Sequence, residues 1–396
     1  MRDADQLTFV ELFAGIGLVR LALESKGLRC VMANDIDEKK RDAYLLNFSS
    51  DDFLLGDVWG LAEGQLPDRP DLLTASFPCT DLSVAGHGEG LAGKESSAFW
   101  GVVRLLKMYS VGASVPCVLL ENVVGFMTSH RGKDFVEAMA ALSELGYYID
   151  AFVLDACRFT PQSRPRLFVI AVQEELADQH MARQSAIGIL DEWTQRIESE
   201  TSFDLRPAKL RSLMSADTDI SWGALALPAP PRAAPTTLKD IVEELPVGHR
   251  FWWDEGRVQK LVSQMSPLHQ GRLQAMTDSP TPQYGTVYRR MRKGRSMAEL
   301  RTDGVAGCLR TPKGGSSRQI LVEAWNGEVK ARLLTAREYG RLQGVPDTFS
   351  IPENQVQGCF GFGDAVCVPA VAWIAENVIC PLLAGNLASQ AVCPCF

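Results

Sequence analysis

The first 175 residues constrain the fold most, because apolar runs alternate there with segments of helical periodicity. LTFVELF (7–13), RCVMAND (29–35), DLLTASF (71–77) and PCVLLEN (116–122) read as strands, as do YYIDAFVLDA (147–156) and RLFVIAVQ (166–173). Between them, GIGLVRLALESKG (15–27) and EKKRDAYLLNF (38–48) carry helical spacing. KDFVEAMAALSELG (133–146) is amphipathic, with Phe135, Met139, Leu142 and Leu145 on one face. This alternation predicts a mostly parallel sheet covered on both faces, with ligands at the carboxyl ends of the strands.

Beyond about residue 175 the pattern loosens. WGALALPAPPRAAP (222–235) predicts a linker or extended surface loop, since its prolines exclude a regular element. Short strands, glycines and basic residues to about 330 suggest a smaller, irregular domain. ARLLTAREYGRLQG (331–344) reads as a short helix stopped by Gly344. GFGDAVCVPAVAWIAENVI (361–379) reads as a glycine turn and then an apolar helix that packs back on the first domain. The expected division is 1–175 and 331–385 for one domain, 176–330 for the other, and 386–396 as a tail.

The chain has 396 residues, 46% apolar and 22% charged, which is ordinary for a folded protein with a sizeable core. No apolar run reaches the about 20 residues of a transmembrane helix, and no signal peptide is read at the start, so a cytosolic protein is expected. Ten cysteines without paired spacing and five histidines argue against a metal site, Cys393 and Cys395 being a lone C-x-C. The net charge of −8 disfavours nucleic acid. Yet VYRRMRKGRSMAELR (287–301) concentrates Arg289, Arg290, Arg292 and Lys293 beside Tyr284 and Tyr288, and Arg310, Lys313 and Arg318 follow. That local face suits a phosphate backbone, although a solvated charged loop has the same composition.

Chemistry-bearing residues gather at the strand ends. FAGIG (13–17) joins a strand to a helix through glycines, which lets backbone approach a ligand. Asp35, about 20 positions on, stands where a ribose hydroxyl is gripped, and Asp57 follows another strand-like run. Together they point to an adenosine-containing cofactor, each Asp having a helix cap as its alternative use. Cys79 follows Pro78 at a strand end and precedes a polar, glycine-rich stretch that could act as a lid. Glu121 ends an apolar strand, where an acid is costly without a purpose. Arg164 and Arg166 precede the strand LFVIAV.

FAGIG, ANDID, GDV, FPCTDLS, ENV, QSRPR, TAREYGRLQGVPDTF and GFGDAV occur in the order found in cytosine-C5 DNA methyltransferases, and the chain resembles that family over 8–172 and 331–380. The resemblance implies an α/β fold, a Rossmann-like S-adenosylmethionine-dependent methyltransferase sheet with a smaller irregular target-recognition domain. It implies S-adenosylmethionine as cofactor, held by Phe13, Gly15, Gly17, Asp35, Ile36, Asp57, Val58, Pro78, Asp364, Ala365 and Val366. It implies double-stranded DNA as partner; the acidic surface and the motif order on a single chain make a monomer without metal or membrane the expectation, with a cognate restriction endonuclease as a candidate partner.

Cys79 would add to C6 of a flipped-out cytosine, and Glu121 would protonate or hydrogen-bond N3. Arg166 would hold O2 with Arg164 in support, and Ser83 would close over the base. Arg289, Arg290, Arg292, Lys293, Arg310, Lys313 and Arg318 would contact DNA. Two residues depart from the family pattern: Ser76 replaces Gly, and Asp364 replaces Asn. An RNA-directed relative, transfer of a modified group favoured by Asp364, and an inactive DNA-binding regulator are the competing readings.

Overall fold

The computed structural model describes residues 6–78, 97–111, 114–183, 204–216, 219–246, 248–292, 294–311 and 318–384. The chain divides into two compact units. The first comprises Met1–Asp155, Pro165–Arg232 and Ala370–Phe396; the second comprises Ala156–Arg164 and Ala233–Pro369.

The first unit is built on a seven-stranded sheet. Its strands are β1 (Thr8–Leu12), β2 (Arg29–Asp35), β3 (Phe53–Leu55), β4 (Leu72–Ala75), β5 (Cys117–Val123), β6 (Tyr147–Asp155) and β7 (Pro165–Gln173). They lie in the order β3-β2-β1-β4-β5-β7-β6. Neighbours from β3 to β5 pair in parallel, and β7 runs antiparallel to both β5 and β6. Side chains on both faces are buried, as in Phe9, Val10 and Leu12 of β1 and Leu72 and Leu73 of β4. That two-sided burial is why the strands read as unbroken apolar runs.

Helices α1 (Leu18–Glu24), α2 (Glu38–Tyr44), α3 (Ala98–Ser110), α4 (Lys133–Ser143) and α5 (Glu174–His180) alternate with these strands. The start of α3 falls in a stretch expected to be loop. It forms because Phe99, Val102, Val103, Leu105 and Leu106 recur at helical spacing and enter the core.

Residues 204–232 belong to this unit rather than to the recognition region expected there. Strands β8 (Met181–Arg183) and β9 (Gly223–Leu225) pair antiparallel, with α6 (Ala208–Ala216) between them. The supposed linker thus begins with ordered structure. Trp222 is 2% exposed and stacks on Phe135 of α4 at 6.1 Å between ring centres. Arg206 forms a fully buried ion pair with Asp150 of β6. Local composition predicts a loop here, but tertiary burial of one indole and one ion pair overrides it.

The second unit is more regular than its composition suggests. It contains α7 (Leu238–Ile241), α8 (Glu255–Ser263), α9 (Pro267–Thr277), β10 (Gln283–Arg292), β11 (Arg295–Arg301), β12 (Ile320–Trp325) and β13 (Glu328–Leu333). The strands form an antiparallel sheet in the order β11-β10-β12-β13. Val258 and Leu261 of α8 and Leu273 and Met276 of α9 share a core with Val287, Leu300, Ile320 and Val322 of the sheet.

Residues 331–369 also lie in this unit, whereas the motif order assigns them to the first domain. Ala331, Arg332 and Leu333 end β13 instead of opening a helix. The helix α10 (Ala336–Leu342) starts at Thr335, whose side chain accepts from Glu338 N–H while Glu338 receives Thr335 N–H. This reciprocal cap, not the apolar spacing, sets the boundary.

The GFGD glycines form no turn either: they close α11 (Gln355–Asp364), which Asn354 caps through Val356 N–H and Gln357 N–H. The helix α12 (Val368–Ile374) follows. The helical run Gln355–Ala384 is apolar enough to cross a membrane by length and composition, but 61% of its most apolar window is buried inside the protein. It is interrupted at Ala365–Cys367, and its burial is that of a core helix.

Candidate active site

Strand register gathers the first unit's site residues at one sheet edge. Leu12 of β1 pairs with Asn34 of β2 and Ala75 of β4, and Ala75 pairs with Leu120 of β5. Asp35 pairs with Leu55 of β3. The residues just beyond these, Phe13, Ile36, Gly56–Asp57, Ser76–Pro78 and Glu121, therefore follow one another along the carboxyl edge.

The glycine turn is held in left-handed backbone. Phe13 has φ 57°, Gly15 φ 58° and Gly17 φ 84°. A left-handed Phe is strained and persists only where its surroundings over-determine it. Asp35 supplies one such restraint: its Oδ2 accepts Gly15 N–H at 2.8 Å, and its Oδ1 accepts Asp37 N–H at 2.9 Å. Gly17 is close-packed as well, since a Cβ there would lie 2.3 Å from the Phe48 ring.

Asp57 caps the short turn Val58–Gly60 through Trp59 N–H, the cap being the alternative use that the sequence offered for it. Each carboxylate keeps further lone pairs for a ligand. Val58 is buried, whereas Ile36, Leu55 and Trp59 are exposed large apolar side chains at the ends of β2 and β3. Leu55 and Trp59 were not singled out in the sequence; an indole directly after Asp57-Val58 was the available signal. Asn34, also overlooked, donates from Nδ2 to Leu54 O and Gly56 O and so fixes the end of β3. A strained glycine turn with two carboxylates and exposed apolar side chains fits the adenosine end of S-adenosylmethionine.

Glu121 and Arg166 are brought together. Arg166 Nε lies 3.0 Å from Glu121 Oε1, and both side chains are largely buried. The antiparallel pairing of β5 with β7 produces this contact, with Val123 opposite Arg166. Next to Glu121, Asn122 is buried and donates to Phe77 O at 3.1 Å, tying the end of β5 to the segment that leads through Pro78 to Cys79. Cys79 and Ser83 lie outside the described residues, as do Lys293 and Lys313.

Arg164 has a different environment from Arg166. It belongs to the second unit and is 2% exposed. Its guanidinium donates to Leu309 O at 3.0 Å, Gly363 O at 3.1 Å and Ala365 O at 2.7 Å. Gln162 accepts Leu309 N–H and donates to Leu342 O, and Gln343 donates to Phe362 O and Ala365 O. Gly363 packs beneath Arg310–Thr311, where a Cβ would lie 2.7 Å from backbone. These contacts fix the C-terminal end of α11, where Asp364 is exposed, and the segment after it, where Val366 is buried. Gln162 and Gln343 lie inside quoted motifs but were not singled out.

The basic residues of the second unit differ in their partners. Arg292 pairs with Glu299 at 2.9 Å and Arg290 approaches the same carboxylate at 4.0 Å. Arg310 lies over the Tyr288 ring, 5.2 Å from its centre. Arg318 donates to Leu334 O and to Cys359 Sγ. Arg289 packs on Trp253. Among the described residues, no group of three or more His, Cys, Asp or Glu is placed to hold a metal ion.

The strand order, with a reversed strand between β5 and β6, is that of an S-adenosylmethionine-dependent methyltransferase sheet. The chain has the fold of solved structures that include Schizosaccharomyces pombe Dnmt2 methyltransferase, at TM-score 0.57 and 18% identity, with 96% of this chain and 99% of that one covered. A prophage-encoded Escherichia coli protein described as a putative DNA modification methyltransferase aligns at TM-score 0.56 and 18% identity, covering 97% and 100%.

In sequence the chain is 27% identical over 378 residues to the Type II methyltransferase M.DsaV of Dactylococcopsis salina, covering 95% of this chain and 87% of that protein. It is 26% identical over 374 residues to M.HhaI of Haemophilus parahaemolyticus, covering 94% of each. The model of the C-5 cytosine-specific DNA methylases matches residues 7–380. A DNA cytosine methyltransferase of this family uses S-adenosylmethionine as methyl donor, and the glycine turn and its braced carboxylates fit that molecule. With a family match spanning nearly its whole length, the chain belongs to the C-5 cytosine-specific DNA methylases.

Proposed function

We propose that this methyltransferase modifies carbon 5 of cytosine within a specific sequence of duplex DNA, through a covalent adduct between Cys79 and C6 of a flipped-out base. The buried Glu121–Arg166 pair carries this reading, because it stands beside the strand end that leads into Cys79. C5 of cytosine is too weak a nucleophile to take a methyl group unaided. Thiolate addition at C6 moves electron density into the ring, and N3 gains basicity. Glu121 donates a hydrogen bond or proton at N3, and Arg166 binds O2 while keeping the Glu121 carboxyl in place.

S-adenosylmethionine supplies an electrophilic methyl group when bound. Phe13, Gly15, Gly17, Asp35, Ile36, Asp57, Val58 and Pro78 of the first unit would hold it. Loss of the C5 proton and departure of Cys79 then complete the exchange. Flipping the base out of the duplex costs a few kcal/mol, which contacts from Ser83 and its loop offset. The protein acts as a monomer in the cytosol with a cognate restriction endonuclease as candidate partner, and the description of its relatives as Type II methyltransferases supports this reading.

Duplexes carrying 5-fluorocytosine in varied contexts test the proposal, because fluorine blocks the final proton loss and leaves the adduct trapped. A protein–DNA adduct that disappears in Cys79→Ser is the expected result. An adduct formed with RNA alone would replace the DNA substrate by RNA. Cofactor binding without any adduct would make the chain a DNA-binding regulator or a transferase of another group.

A further inference from the structure

Trp253 sits just before α8, and its N–H donates to Ala331 O of β13 at 2.9 Å. Asp254 then caps the helix through Arg257 N–H. Two guanidinium groups pack on the Trp253 indole: Arg257 Cζ lies 4.0 Å and Arg289 Cζ 5.5 Å from the ring centre. Arg289 lies two residues beyond Val287 on β10 and so shares its core-facing side of the sheet.

Arg289 is half-buried, and its Nε is shut off from water without a hydrogen-bond acceptor. Burial first, and the Arg257 charge second, hold its pKa below that of an ordinary guanidinium. No carboxylate pairs with Arg257 or Arg289 among the described residues.

The contrast lies within the same strand. On the opposite face of β10, Arg290 and Arg292 share Glu299, which already supplies counter-charge. Arg301 on β11 has Asp303 at 2.7 Å. Two like charges held against one indole, one of them partly desolvated, are unfavourable unless an anion joins them. Cation–π contact fixes the two groups in place without using their N–H donors. A phosphodiester oxygen accepts such donors and brings the missing negative charge.

We propose that Trp253, Arg257 and Arg289 form a subsite for a backbone phosphate of the substrate DNA. The assignment rests on the duplex-DNA reading above. Its contribution is to position the second unit on the duplex, not to read bases, because a phosphate carries no sequence information. Arg257 and Trp253 thereby join Arg289, which the sequence had already marked.

The test measures binding of the full-length chain to a fluorescein-labelled duplex by anisotropy, from about 50 to 200 mM KCl. Arg257→Gln and Arg289→Gln are each expected to weaken binding about tenfold near 0.1 M salt. Each should make the slope of log affinity against log salt shallower by about one. Arg289→Lys should restore most of the slope, and thermal midpoints report whether each variant folds. If the native protein binds the duplex and both Gln variants keep its slope, the subsite is wrong while the DNA reading stands. Weaker binding at unchanged slope likewise overturns it, as that pattern marks altered packing. Absence of duplex binding by the native protein would remove the DNA reading and this subsite together.

Discussion

Arg166 on β7 holds Glu121 on β5 through a 3.0 Å Nε–Oε1 contact, and this pair is set by strand pairing rather than by a local motif. Glu121→Gln retains the shape and removes the proton-donating acid. Methyl transfer in single turnover should fall about 10²- to 10⁴-fold. Calorimetry should find cofactor affinity little changed, and a wild-type methylation rate in this variant would exclude Glu121 from the chemistry.

Glu11 introduces a pH dependence of stability. It is fully buried on β1, where it accepts Arg20 N–H, and burial pushes its carboxyl from 4.5 up to about 8. Between those values the unfolded chain releases the proton and the folded chain keeps it. This contribution to stability is complete below about pH 4.5 and is lost as pH rises towards 8, by an amount on the order of a few kcal/mol. In urea unfolding, Glu11→Gln should match the native protein near pH 5 and exceed it near pH 8. Parallel pH curves for the two proteins would show that Glu11 does not titrate in this window.

Arg332 and Glu338 form an ion pair with both side chains fully buried, beside the reciprocal cap of α10. Glu338→Gln leaves a buried guanidinium uncompensated and should cost about 3–5 kcal/mol in urea unfolding. Replacing both residues by apolar ones of similar volume should cost much less, because no charge is then stranded. Equal losses in the single and double variants would assign the effect to packing.

Gly363, in the last turn of helix α11, has no room for a methyl group. Gly363→Ala places Cβ against the backbone of Arg310 and Thr311 and should destabilise the protein by about 1–3 kcal/mol. Arg164→Met strips the Leu309, Gly363 and Ala365 carbonyls of a charged donor and should cost about 3 kcal/mol or more. Denaturation midpoints check both, and a native-like midpoint for Arg164→Met would refute the role assigned to its fork.

Asp364 replaces the Asn of the family pattern and is the exposed last residue of α11. Asp364→Asn should leave S-adenosylmethionine affinity unchanged or tighten it, since it restores the amide donor of the family pattern without changing shape. A marked loss in isothermal titration would show that the carboxylate itself is used.

The seven-stranded sheet was legible in the amino-acid sequence, because strands buried on both faces leave unbroken apolar runs. FAGIG, Glu121 and the approach to Cys79 follow those runs. The sequence alone thus determined the strands of that sheet and the type of residue at their ends, but not β8 and β9. Only the tertiary structure distinguished residues of like chemistry. Arg164 and Arg166 stand two positions apart, yet one is spent on backbone carbonyls and the other on a carboxylate. Arg289 and Arg290 are adjacent, yet only Arg290 approaches Glu299. The unit boundaries after Asp155 and Arg232 were likewise hidden. The physical reason is common to all three. A charge's partner and a segment's burial depend on what long-range register and packing bring beside it, and local composition carries no record of those neighbours.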